Sequence, residues 1–226
     1  MLPARSTRLR LRARPLLAAA LAAGLAVGAT ACSSAASSRS GGFTVDSAPG
    51  SVFDGDQLPK AFAKPDVTLT DSAGKPFDLV KGTAGKLTLV YFGYTHCPDV
   101  CPTTMATLAA TLHALTPAQA AQTDVVFVST DPKRDTPAVL HDWLGQYDPA
   151  FIGLTGDFTT IQKAASALGI DVEAPVVQPD GGYTVTHGAE VVAFDTRGRG
   201  TVVYTSGTTV DQFRHDIPLL LAGRDE

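Results

Sequence analysis

Cys97 and Cys101, four positions apart in Tyr91 to Met105, are the residues of this chain best suited to chemistry. The stretch reads YFGYTHCPDVCPTTM. Two thiols at this spacing admit three readings: a structural disulfide, a redox pair, or two ligands of a metal that needs one or two more. A bridge across so short a loop removes little entropy from the unfolded chain, so a purely structural disulfide explains the pair poorly. Pro102 is comfortable at a first helical position, which makes Cys101 the expected N-cap and residues 97–100 the turn before the helix. Both sulfurs are then expected where a strand ends and a helix begins. Amide groups and the helix dipole there favour thiolates, the form that attacks disulfides and binds metals.

Soft thiolates suit Cu(I), or zinc if four ligands assemble. The third cysteine of the chain, Cys32, is far away in sequence, so a site of four cysteines within one chain is excluded. The missing ligand must be one of five histidines. His96 adjoins Cys97 and is expected to flank the pair. His113, His141 and His215 fall on expected helices and read as ordinary helix residues. His187, in Thr184-Val185-Thr186-His187-Gly188-Ala189, stands just before an expected strand from Glu190. Asp131 and Asp135 follow another strand, where ligand sites of open α/β sheets gather. Asp135 reads as turn chemistry before a helix. Asp131 is undecided between the turn and the site. Paired carboxylates for hydrolysis, glycine-rich phosphate loops and a Gly-x-Ser-x-Gly elbow are absent.

The elements that must position these residues follow from periodicity. Val67–Leu69 and Pro76–Leu79 read as a hairpin. Leu87–Phe92 and Val125–Val128 are apolar runs suited to buried strands, and Phe151–Leu154 is a shorter one. Met105, Leu108, Ala109, Leu112 and Leu115 recur at helical spacing. Val139 to Tyr147 marks a second helix, with Thr136 as N-cap and Pro137 at its first position. Phe158–Leu168 is a third, closed by Gly169. Residues 171–186 form an interrupted excursion with hairpin character. Glu190–Phe194 and Thr201–Tyr204 flank the turn 195–198 as a second hairpin, and Val210–Leu221 is a helix that Pro218 should kink or end. This order predicts an α/β domain with helices on both faces of a mixed sheet. The thioredoxin-like fold has this order once an N-terminal hairpin extension and an inserted hairpin are allowed. In that fold the residue before the strand from Glu190 faces the cysteine turn. Thioredoxins place a cis-proline there, and this chain offers His187.

The first 31 residues are expected to lie outside the fold. Arg5, Arg8, Arg10, Arg12 and Arg14 precede an apolar run, Leu16–Val27, too short to span a bilayer comfortably. Small residues and Cys32 follow, as in a bacterial lipobox, although Ala29 stands where Leu or Val is usual. Residues 1–31 therefore read as a lipoprotein-type signal peptide. Residues 32–52 read as an acylated cysteine and a Ser/Ala/Gly-rich tether, and 53–226 as the domain. Without the leader, 13 Lys and Arg face 22 Asp and Glu, a net charge of −9. Nucleic-acid binding and electrostatic adhesion to anionic lipid are thereby disfavoured.

FGYTHCPDVCPTTM, STDPKRDTP and THGAEVVAFDTRGR, in this order, resemble the Sco/SenC family of copper chaperones over about residues 50–222. The resemblance implies a thioredoxin-like fold and copper, Cu(I) and also Cu(II), held by Cys97, Cys101 and His187. It implies Asp131 as a group close to the site. It implies a role in assembling the CuA centre of cytochrome c oxidase subunit II, on the outer face of the bacterial cytoplasmic membrane with a lipid anchor. Some members act as thiol-disulfide reductases, for which Cys97 and Cys101 would be the redox pair. Many members have a hydroxyl residue after the histidine; here it is Gly188, which leaves the orientation of the ring open.

Overall fold

The strand Leu87–Gly93 (β4) is buried at every position. It lies in the middle of a sheet covered on both faces, so its apolar run needs no alternation. A computed structural model describes residues 50–224. The expected leader, Cys32 and most of the tether lie outside the described residues.

The elements before β4 are β1 (Asp56–Ala63), β2 (Thr68–Asp71), β3 (Pro76–Asp78) and α1 (Leu79–Gly82). After it come α2 (Val100–Ala114), α3 (Pro117–Ala121), β5 (Thr123–Ser129), α4 (Pro137–Leu144), β6 (Ile152–Thr155) and α5 (Phe158–Ser166). The chain then forms β7 (Val176–Val177), β8 (Tyr183–Thr184), β9 (Val191–Phe194), β10 (Arg199–Tyr204) and α6 (Val210–Leu221). Eight strands make one sheet in the order β1-β10-β9-β4-β5-β6-β2-β3, and β7 pairs with β8 alone. Strands β4, β5 and β6 are parallel, and beyond β4 the pairs β4–β9, β9–β10 and β10–β1 are each antiparallel. This is the mixed, thioredoxin-like sheet expected, with β2–β3 as the N-terminal hairpin and β7–β8 as the inserted one.

Alternate residues of β4 feed two cores. Leu89 and Tyr91 pack with Met105, Leu108 and Leu112 of α2, Leu140 of α4 and Phe213 and Ile217 of α6. Val90 and Phe92 pack on the opposite face with Ile161 and Ala165 of α5 and Leu79 of α1. Each fully buried side chain of this size contributes about 1.5–3 kcal/mol.

Four local features differ from the sequence expectation. Strand β1 was not foreseen; it pairs with β10 but slips register between Gln57 and Phe62, and Pro59 within that slip is tolerated because the strand is an edge. Helix α3 was not foreseen either; Thr116 and Gln119 form a capping box, with Pro117 at the first position. Helix α6 runs through Pro218. The proline removes one interior hydrogen bond, but burial of Phe213, Ile217 and Leu220 and a second capping box, Thr209 with Gln212, hold the helix. Finally, α2 begins at Val100, with Asp99 as N-cap. Cys101 is its second residue and Pro102 its third. A proline fits there because the first helical amides have no intrahelical partner.

Candidate metal centre

The cysteine loop leaves β4 through Tyr94 and turns back at Cys97, whose amide donates to the Tyr94 carbonyl at 3.2 Å. The next turn starts α2 and carries Cys101 onto its inner face. The Cys101 amide donates to Cys97 Sγ at 3.5 Å, so a helix-terminal amide does face one sulfur. Cys97 is half-buried and Cys101 buried, both as free thiols. His187 arrives from the other side, where its bridge to Val172 and the Gly188 amide bond to the Asp171 carbonyl hold it just ahead of β9.

The three side chains converge. Cys97 Sγ, Cys101 Sγ and one imidazole nitrogen of His187 lie within 4.8 Å of one another. Cys101 Sγ and His187 Nε2 are 3.5 Å apart, from residues 86 positions apart in the chain. Metal–sulfur and metal–nitrogen bonds of about 2.0–2.3 Å would set the donors of a trigonal site roughly 4 Å apart, so the separation fits one ion. The ring is oriented by His187 Nδ1 donating to the Gly188 carbonyl at 2.6 Å, which leaves the Nε2 lone pair facing Cys101. The orientation of the ring, left open by the glycine at 188, is thus set by the Gly188 backbone. A side chain at 188 would collide with the Glu190 carboxylate and with Ile170 Cγ2.

Electrostatics depart from the sequence expectation at one point. Burial pushes the Cys101 thiol up to about 12, against the pull of the Tyr94 amide and the Tyr91 hydroxyl. The helix N-terminus therefore does not make Cys101 a thiolate at neutral pH, because desolvation of the charge outweighs the amide dipoles. Burial also lowers the pKa of His187, which keeps the imidazole neutral and able to coordinate.

Asp131 is fully buried but is not one of the converging donors. Its carboxylate accepts from Arg134 Nε, and from the Tyr183 hydroxyl at 2.9 Å. The Arg134 guanidinium lies 3.9 Å from the Tyr183 ring centre and 6.0 Å from that of Tyr94. Tyr94 in turn meets the His187 ring edge-on at 5.4 Å. Asp131 therefore clasps the β7–β8 hairpin to the loop after β5 and reaches the histidine only through other side chains. Asp135 does more than turn chemistry. Its buried carboxylate accepts from the Thr95 amide at 3.0 Å, the Thr95 hydroxyl at 2.6 Å and the Ser129 hydroxyl at 2.7 Å. That ties the cysteine loop, two residues before Cys97, to the end of β5. Sequence gave the aspartate but not its partner, which lies 40 positions away.

His96, His113 and His141 are exposed and outside the cluster. His215 groups with Asp54 and Asp216. Asp216, however, already accepts from the Asp54 and Gly55 amides and the Tyr204 hydroxyl, a tie between the start of the domain and α6.

A family model described as SCO1/SenC matches residues 55–222. The chain is 35% identical over 132 residues to the mitochondrial protein SCO2 of Saccharomyces cerevisiae; the match covers 58% of this chain and 44% of that one. Among solved structures it resembles Bradyrhizobium japonicum ScoI with copper bound, at 35% identity and a TM-score of 0.61, covering 71% of this chain and 98% of that one. It also resembles apo Sco1 of Thermus thermophilus, at 30% identity and a TM-score of 0.67, covering 77% and 100%. With a match across most of the domain and the two cysteines and histidine brought together, the chain belongs to the SCO1/SenC family.

Proposed function

We propose that this protein is a copper chaperone that carries one copper ion on Cys97, Cys101 and His187 and delivers it to the CuA centre of cytochrome c oxidase subunit II. The observation that carries this reading is the convergence of two thiols and a lone-pair nitrogen within 4.8 Å. Two soft sulfurs and one imidazole suit Cu(I) in a three-coordinate site. Three ligands leave room for a fourth from the client, so the cargo can pass by ligand exchange. The ScoI structure that the chain resembles holds copper. Asp131 and Asp135 support the site from behind, through the hairpin and the cysteine loop.

The rival reading, a thiol-disulfide reductase acting through Cys97 and Cys101, needs a ready thiolate. Burial of Cys101 and its raised pKa weigh against that residue as the attacking group. The protein works on the outer face of the bacterial cytoplasmic membrane, held by acylated Cys32. The Ser/Ala/Gly-rich composition of residues 32–52 suits a link between that anchor and the domain. Among the described residues no helix is long and apolar enough to cross a membrane, and an acyl anchor needs none.

Mixing the Cu(I)-loaded chain with a soluble, metal-free CuA domain tests the function. Loss of copper from this protein matched by gain of CuA absorption is the expected result. No transfer, together with rapid reduction of an oxidised CuA domain by the metal-free chain, would establish the rival.

A further inference from the structure

Tyr91 touches two of the three ligand residues. It lies on β4, wholly buried, on the face that packs against α2. Its hydroxyl donates to Cys101 Sγ at 3.6 Å. Its ring meets the His187 imidazole at 80°, with centres 6.1 Å apart. A buried phenol needs a polar partner, and here the acceptor is a ligand sulfur. The approach is close because residue 93, on the same face of β4, has no side chain. A Cβ there would stand 2.7 Å from Tyr91 Cε1 and 2.8 Å from Cys101 Sγ.

We propose that Tyr91 is a positioning residue that tunes the copper: its hydroxyl hydrogen-bonds the coordinated Cys101 sulfur, weakens that sulfur as a donor, and so favours Cu(I) over Cu(II). This rests on the copper reading of the site. Hydrogen bonding around a cysteine sulfur is an established lever on copper potentials. Cu(II) gains more than Cu(I) from a strongly donating thiolate, so a hydrogen bond that draws density off the sulfur costs the oxidised state more. Without the hydroxyl, the sulfur donates more strongly and the balance moves toward Cu(II).

The test uses the full chain and Tyr91→Phe, which removes one oxygen and keeps the ring. Copper per chain, the sulfur-to-Cu(II) charge-transfer band and the Cu(II)/Cu(I) potential are measured for both. One copper is expected in each. In the variant the band should move to longer wavelength. The preference for Cu(I) should fall about tenfold, the scale of one hydrogen bond to a charged acceptor, or about 59 mV for this one-electron couple. An unchanged band and potential in fully loaded Tyr91→Phe would overturn the proposal and leave the copper reading standing. A parent that takes up no copper would overturn both, and the copper count alone reveals it. Should Tyr91→Phe not fold, 3-fluorotyrosine at position 91 decides, since it keeps the shape of the ring and makes the phenol a stronger donor: a band moved to shorter wavelength supports the proposal, and an unmoved band overturns it.

Discussion

At the scale of single residues, Cys101 carries opposing demands. Burial holds its thiol protonated, while copper takes only the bare sulfur. The proton must leave as the ion binds, so lowering the pH adds a competitor and weakens binding. With the thiol pushed up to about 12, at least one proton is released per copper throughout the neutral range. Apparent Cu(I) affinity should therefore climb by at least about tenfold per pH unit between roughly pH 6.5 and 9. A chelator-competition series checks this, and a flat profile would contradict it. His187 adds no competing proton in that window, because burial lowers its pKa below the ordinary value. Gly93 is the crowded backbone position that touches both Tyr91 and Cys101. Gly93→Ala should displace the Cys101 sulfur or the Tyr91 ring, costing about 1–3 kcal/mol of stability by overpacking. Weaker Cu(I) binding should accompany the lower melting temperature; a variant with both values unchanged would refute the crowding.

At the scale of elements, the site is a junction of three loops, each fixed by a different device. The cysteine loop is pinned by Asp135, the loop after β5 by Arg134 and Asp131, and the His187 segment by its bridge to Val172. Asp135→Asn presents an amide to donors that now meet a carboxylate, and one of them loses its acceptor. Denaturant melts should show a loss of about 1.5–3 kcal/mol, and copper titration a loss of about 10–100-fold. Equal copper affinity in a destabilised variant would confine Asp135 to the fold. The cysteines, His187 and most strands were legible in the sequence, because apolar runs and proline or glycine punctuation are local signals. Helix α3 and β1 were not: one is five residues long, and the other is an edge strand whose apolar pattern is broken at Pro59. The start of α2 was missed by two residues because Cys101 was weighed as the residue before a proline and not as a buried position. The roles of Asp135 and Tyr183 depend on contacts 40 and 52 positions away, which no local pattern carries.

At the scale of the whole molecule, an acidic domain would be kept near its client by a lipid and a tether. Without the leader the net charge is −9, which disfavours electrostatic adhesion to anionic lipid. Cys32→Ser should move the protein from the membrane fraction to the soluble fraction while Cu(I) affinity stays the same. Retention at the membrane would contradict the acyl anchor. The measurement that reaches the centre of the account is an anaerobic Cu(I) titration of the reduced full chain beside His187→Ala. The account predicts one tight equivalent in the parent, weakened by at least about 100-fold when the imidazole is removed, since even groups behind the ligands contribute 10–100-fold. Copper binding that is weak in both, or equally tight in both, would contradict a site built from Cys97, Cys101 and His187.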